Sequence, residues 1–194
     1  MIFTHSETDK IISKIGELSI STHMRNKRIC FFGDGNKVME YNLENDEWMK
    51  RTLQNGGNDF LYYAAAVTLP NGDALIIGGG SSTTVYQYTS DGRLLVRDAM
   101  KQMRKEHSAV ICENTVYVMG GYDGQQSTFL NLCEKYDVEK NQWKPFVPMN
   151  IAKCAFSACV VNRKYIYTFG GYDGTKRLDT IERFDLKEEY WELL

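Results

Sequence analysis

Three histidines, five cysteines and scattered carboxylates are the residues of this chain with chemistry of their own. His5, His23 and His107 stand singly and far apart. A zinc site draws its ligands from short, clustered spacings, and none is present. Cys30, Cys112, Cys133, Cys154 and Cys159 contain no Cys-x-x-Cys. An odd, scattered set of this kind reads as free thiols in a reducing compartment. Cys154 and Cys159, at an odd spacing along one strand, would face opposite sides of it. The acids Glu188-Glu189 and Glu44, Asp46 and Glu47 fall where turns are expected, as solvated charge. Neither a phosphate-cradling Gly-x-x-x-x-Gly-Lys-Ser/Thr loop nor a Gly-x-Ser-x-Gly nucleophile elbow occurs.

The sharpest pattern is aromatic. Tyr41 is followed seven residues later by Trp48, Tyr136 by Trp143 and Phe184 by Trp191. Tyr88 completes the series, with Leu95 where its Trp is due. Such rings could cage a cation or stack on a base. Their recurrence once per unit, 47 or 48 residues apart, points instead to packing between repeated units. Upstream of each pair an apolar run ends in glycine: at Gly33, Gly78-Gly79, Gly120-Gly121 and Gly170-Gly171. These runs read as strands buried on both faces, with the glycines supplying close backbone approach and positive φ at the exit. Repeats three and four continue into Tyr122-Asp123-Gly124 and Tyr172-Asp173-Gly174; repeat one has Asp34 in place of the second glycine.

Apolar run, Gly-Gly, Tyr, six residues, Trp: this resembles the kelch motif, over roughly residues 18–194. The resemblance implies an all-β, kelch-type β-propeller of about four four-stranded blades. The units run over residues 18–58, 59–103, 104–151 and 152–194, after a leading segment 1–17 that reads either as a short helix or as the hairpin of a degenerate blade. Within the units, strands are expected near 18–23, 28–33, 38–43 and 48–53; 62–69, 74–79, 84–88 and 94–99; 108–112, 115–121, 132–138 and 142–147; and 156–161, 165–171, 180–186 and from 190 onward. Kelch rings usually hold five to seven blades, so four leave an incomplete or open ring. The chain is then part of a longer propeller, or two copies complete each other through the open blade edge, or four blades close tightly.

Some kelch-fold proteins are enzymes: a copper oxidase, an iron-dependent specifier, a sugar mutarotase. Their ligand sets cannot be assembled from these histidines, and no catalytic, metal or cofactor residue is assigned. Otherwise the resemblance implies a non-catalytic interaction module, with cytoskeletal attachment or ubiquitin-ligase substrate recruitment as family roles. The ligase role normally accompanies a BTB-type domain, for which this chain has no room. A truncated product with no independent function is the remaining alternative. In the family, partners dock on the face of the d–a and b–c loops, where a Met-x-x-x-Arg stretch leads into strand a. Met100 to Arg104 and Met149 to Lys153 occupy that place, making Arg104 and Lys153 candidates to grip a protein or peptide. The b–c loop tips Gln125, Gln126 and Ser127, and Thr175, Lys176 and Arg177, are the next candidates.

Composition agrees with a soluble globular chain: 43% hydrophobic, 25% charged, net charge −2. That balance offers nucleic acid no concentrated basic surface. No apolar run approaches the ~20 residues of a membrane span. Residues 1–17 lack the pattern of a signal peptide, and no Asn-x-Ser/Thr occurs, so the expected location is cytoplasmic.

Overall fold

The computed structural model describes residues 19–23, 28–53, 62–80 and 82–194. The expectations for residues 1–17, for the turn at 25–27 and for the link at 54–59 lie outside them. Four antiparallel sheets follow one another along the chain. The first is β1 (Ser19–His23), β2 (Arg28–Asp34), β3 (Lys37–Asn42) and β4 (Glu47–Thr52); the second is β5 (Ala65–Thr68), β6 (Ala74–Ile77), β7 (Val85–Tyr88) and β8 (Leu94–Arg97). The third joins β9 (Ser108–Cys112) and β10 (Thr115–Met119), across a small hairpin of β11 (Tyr122–Asp123) and β12 (Thr128–Phe129), to β13 (Cys133–Asp137) and β14 (Gln142–Phe146). The fourth is β15 (Ser157–Val161), β16 (Tyr165–Phe169), β17 (Ile181–Asp185) and β18 (Tyr190–Leu193). Each sheet is a four-stranded meander, strands a to d, and the first strands β1, β5, β9 and β15 neighbour one another in succession. This is the all-β kelch propeller architecture. Among the described residues β15 makes no comparable approach to β1, and no closed ring is formed by them.

Alternation sends successive side chains to opposite sheet faces, and each interface is filled accordingly. Cys30, Phe32 and Val38 of the first blade meet Ala74, Ile76, Tyr86 and Tyr88 of the second. Leu75, Ile77 and Val85 meet Val116, Val118, Tyr136 and Trp143. Val110, Met119 and Phe146 meet Ile166, Phe184 and Trp191. The aromatic pairs lie directly opposite across strands c and d: Tyr41 and Trp48, Tyr136 and Trp143, Phe184 and Trp191, with ring centroids 4.9, 4.9 and 5.1 Å apart. The Trp143 indole N–H donates to the carbonyl of Asp98 at 2.7 Å, and that of Trp191 to Val147 at 2.9 Å. Both acceptors belong to the preceding blade's end, so Trp143 and Trp191 are inter-blade packing.

Blade two departs from the expected substitution at Leu95. Its c–d turn is one residue shorter, so Tyr88 stands opposite Leu94. A slip of one residue exchanges the faces of a strand, and Leu94 is buried while Leu95 is exposed. Tyr88 faces the first blade as Tyr136 faces the second. Its hydroxyl donates to Glu40 at 2.5 Å, and Arg28 and Arg51 each lie 3.0 Å from that carboxylate.

Backbone also joins the blades. The N–H of Gly79 donates to the carbonyl of Arg104, and that of Gly121 to Lys153. Tyr63, Glu106 and Ala155 each stand two residues before strand a, with φ of 63, 53 and 51°. They form a chain of their own: Glu106 N–H to the Tyr63 carbonyl at 3.0 Å, Ala155 N–H to the Glu106 carbonyl at 2.8 Å. Strand a of blade two is thus shorter than its sequence implies, starting at Ala65 rather than Tyr62.

Gly120 shows why the glycine pair is needed. At φ +56° a Cβ there would stand 2.7 Å from both the Lys153 carbonyl oxygen and the Met149 methyl. At Gly170, φ +62°, the nearest obstacle is the Leu178 carbonyl at 3.1 Å. Gly120→Ala is therefore expected to cost more than the ~1–2 kcal/mol of left-handed strain alone, and Gly170→Ala about that amount. Urea unfolding of both variants measures the difference; equal losses would mean that the inter-blade contact carries no weight.

Candidate partner-binding face

Arg104 and Lys153 do not stand on a loop surface, and here the structure corrects the sequence-based expectation. Both are fully buried. The Arg104 guanidinium donates to the carbonyls of Gly120 at 2.7 Å and Leu132 at 2.9 Å, and lies 3.0 Å from Glu134. Burial pulls its pKa down, and the Glu134 charge opposes that pull. Glu134 in turn accepts the backbone N–H groups of Lys101 and Gln102, at 2.8 and 3.1 Å. Blade four repeats the device: Lys153 lies 2.9 Å from Glu182 and donates to the Thr168 hydroxyl at 3.0 Å, while Glu182 accepts the Asn150 N–H. The Met-x-x-x-Arg/Lys lead-in thus clamps its own blade. A buried charge needs an opposite charge and hydrogen-bond partners, and the paired glutamates, two residues before Tyr136 and Phe184, supply the opposite charge.

The loop tips stand where the sequence reading put them, in solvent. Gln125, Gln126 and Ser127 are exposed at the tip of the β11–β12 hairpin, and Thr175, Lys176 and Arg177 at the corresponding tip of blade four. One aspartate shapes each. Asp123 accepts the N–H groups of Gln125 and Gln126 at 2.9 and 3.0 Å. Asp173 accepts those of Lys176 and Thr175, both at 2.8 Å, and the Thr175 hydroxyl. The Lys176 amide foremost, with these companions, holds the Asp173 carboxyl down to about 2. These are the aspartates of Tyr-Asp-Gly, which read from sequence only as part of the repeat.

An aromatic strip missed by the sequence reading joins the two tips. The Lys105 ammonium lies 6.0 Å from the ring centre of Tyr63 and 5.5 Å from that of Tyr122. Tyr122 packs on Phe129 at 5.0 Å, and Phe129 on Tyr172 at 5.6 Å. The Phe129 ring lies directly against Gly174, where a Cβ would come within 2.7 Å of it. Tyr62, Tyr63 and Tyr172 are exposed. The strip runs from the lead-in of blade two across blade three to the b–c loop of blade four. Its signal was the tyrosine that follows Gly-Gly twice, at Tyr122 and Tyr172.

The other reactive side chains are occupied structurally. His107 is buried, and burial, with the Arg104 charge, pulls its pKa down to about 3. It holds the place that Phe156 holds in blade four: Gly78 faces His107 as Gly120 faces Phe156. Cys30, Cys133 and Cys154 are buried free thiols, each pushed up to about 12, chiefly by burial; Cys112 is half-buried and Cys159 exposed. Cys154 precedes β15 rather than lying on it, so the two-face argument for Cys154 and Cys159 does not apply. Among the described residues, no three His, Cys, Asp or Glu side chains gather as metal ligands would, and no helix is long and apolar enough to cross a membrane.

Residues 22–194 match the family model of the KLHDC2/KLHL20/DRC7 Kelch-repeats domain. The chain belongs to the kelch-repeat family. It is 34% identical over 86 residues to Kelch-like protein 40 of Xenopus laevis, covering 44% of this chain and 14% of that protein. It is 25% identical over 185 residues to Kelch repeat and BTB domain-containing protein 2 of cowpox virus, covering 89% of this chain and 31% of that one. Over 182 residues it is 25% identical to Kelch domain-containing protein 10 of Rattus norvegicus, covering 82% and 43%. The chain therefore spans less than half the length of these relatives. Kelch repeats in general serve as protein-interaction modules.

Two outcomes test the assignment of the buried side chains. Arg104→Ala leaves Glu134 buried without its counter-charge and is expected to cost about 3–5 kcal/mol. Arg104→Lys should cost less, since Lys153 fills the same position; urea unfolding at pH 7 separates the two, and a neutral Arg104→Ala would refute the clamp. His107 ionises near 6.5 in the unfolded chain and near 3 when folded. The unfolded state therefore binds the proton more readily. The stability contribution is whole above pH 6.5 and falls toward pH 3, by up to ~1.4 kcal/mol per pH unit. His107→Phe should flatten that acid limb between pH 7 and 5, and an unchanged slope would assign it elsewhere.

Proposed function

We propose that this chain is a non-catalytic binding module, working in the cytoplasm, that takes an extended peptide or loop of a partner protein across its d–a and b–c loop face. One observation carries the reading. A continuous strip from Tyr63 through Lys105, Tyr122 and Phe129 to Tyr172 links two exposed loop tips on a rigid sheet scaffold. Aromatic rings offer large contact area at small entropic cost, and loops on a fixed scaffold are where such contacts are commonly placed. Lys176 and Arg177 at the tip and Lys105 within the strip favour a peptide that pairs aromatic or apolar side chains with carboxylates. Arg177 suits bidentate carboxylate binding better than a lysine would. The kelch-named relatives support a protein partner over a small substrate. A role in ubiquitin ligation or on the cytoskeleton is an extension of this reading, resting on the family alone.

A displayed random-peptide library selected on the full chain, alongside the variant Tyr172→Ala/Arg177→Ala, tests it. Acid-containing peptides should be enriched on the parent and lose at least about tenfold in affinity on the variant, with the melting temperature unchanged. Enriched peptides that bind parent and variant equally would place the binding surface elsewhere.

A further inference from the structure

At the end of the strands where the a–b and c–d turns close, away from the loop strip, polar side chains face from one blade to the next. In the first interface a buried carboxylate holds them together. Glu40, 3% exposed, has the guanidinium groups of Arg28 and Arg51 beside it and accepts the Tyr88 hydroxyl of blade two. In the second interface Asp73 does so. It is 6% exposed, accepts the Gln87 side-chain amide and accepts the Ser90 N–H at 2.9 Å; Arg97 in turn donates to the Gln87 side-chain oxygen at 2.7 Å.

The third interface has a lysine and a threonine instead. Strand pairing sets Tyr117 opposite Lys135, as Cys30 stands opposite Glu40 and Leu75 opposite Gln87. Lys135 therefore has the place of Glu40, and Thr115, two residues before Tyr117, has the place of Asp73. From blade four, Phe184 brings no hydroxyl where Tyr88 brings one to blade one. A crevice of about 140 Å³ is left, lined by Thr115, Tyr117, Lys135, Asp137, Gln142 and Lys144. Its size is close to that of the ~150 Å³ cavity that admits a benzene ring.

The charges around the crevice do not cancel. Asp137 is engaged by Lys140, whose ammonium lies 2.7 Å and whose backbone N–H lies 2.9 Å from its carboxylate. Glu189 of blade four reaches Lys135 at 3.6 Å, but from the rim, with its side chain 59% exposed. Among the described residues Lys144 has no carboxylate within ion-pair distance. Among the lining residues and their ion-pair partners, three lysines thus face two carboxylates, which leaves one positive charge over.

We propose that this crevice binds a small oxyanion, a carboxylate or a phosphate, in the role that Glu40 and Asp73 fill at the first two interfaces. Lys135 and Lys144 supply charge-assisted hydrogen bonds to its oxygens. The Gln142 amide and the Thr115 hydroxyl are the neutral donors, and the Tyr117 ring is the apolar wall. The crevice lies at the opposite end of the strands from the loop strip, so the inference does not depend on the peptide-binding reading.

The test titrates the full chain with sodium benzoate and, separately, with inorganic phosphate, against sodium chloride at matched ionic strength, by amide NMR. Saturable shifts at Thr115, Lys135 and Lys144 are expected with at least one of the two, and the one that saturates names the source. Lys144→Gln, at an exposed position, should weaken that binding by about tenfold, the worth of one charge-assisted hydrogen bond. Thr115→Asp places a carboxylate where blade two has Asp73 and should weaken it at least as much, without lowering the melting temperature measured in chloride. If Thr115→Asp does lower it, the Lys144→Gln result decides alone. Shifts no larger than those in chloride, with both anions, overturn the inference. So do saturable shifts that Lys144→Gln leaves unchanged, which would put the anion elsewhere.

Discussion

Backbone must touch backbone where one blade's glycine pair meets the lead-in of the next, and the structure follows from that constraint. The contact leaves no room for a Cβ at Gly78 or Gly120. It brings the lead-in carbonyl into hydrogen-bond range of the second glycine's N–H and fixes how far apart the sheets stand. The space left over the first glycine has the size of a methionine methyl, which Met100 and Met149 fill. Once the lead-in is held this closely, its polar groups lose water. They must then be satisfied within the blade, which is the task of Glu134 and Glu182.

The buried ion pairs are consequences of that approach rather than its cause. A paired charge taken out of water recovers its desolvation cost only with good geometry and full hydrogen bonding. Arg104 comes closer to both conditions, its terminal nitrogens taken by two carbonyls and a carboxylate that is itself anchored by two amides, although its buried Nε has no acceptor among the described residues. Lys153 achieves less, with one carboxylate and one hydroxyl. The same position therefore accepts either cation, provided that the glutamate two residues before the strand-c aromatic is kept. The first blade solves its polar burial differently. Glu40 gathers two arginines and the Tyr88 hydroxyl across the interface where blade two lacks its tryptophan.

The architecture was legible because its signals are periodic. The Tyr41 and Trp48 spacing, repeated twice more, marks the c–d hairpin, and the apolar run into Gly-Gly marks strand b. Leu95 misled for a physical reason: one residue fewer in a turn changes which side chain faces inward, and spacing counted along the chain does not show where the turn closes. Arg104 misled because a cation in a loop-like segment ordinarily lies in water. Its burial depends on Glu134, thirty residues away, and on carbonyls freed by strand ends, neither visible as a local pattern. The strip of Tyr63, Tyr122, Phe129 and Tyr172 was hidden for a similar reason. Its members come from three blades, and only the stacking of those blades brings them into line.

That stacking also decides which surface is free to recognise anything. Residues held by the repeat, Trp143 and Trp191 on the preceding carbonyls and Arg104 and Lys153 in their clamps, cannot leave their partners without exposing charge or opening an interface. The tips of the b–c loops carry no such obligation beyond the turn that Asp123 and Asp173 close. Phe129 ties two of these loops together, with its ring against Gly174 and Tyr172. A partner meeting that face encounters a pre-formed ridge rather than two independent tips, so little ordering remains to be paid for on binding. On the binding proposed for this face, sequence change at Gln125 to Ser127 or Thr175 to Arg177 would alter what is bound without disturbing how the blades pack.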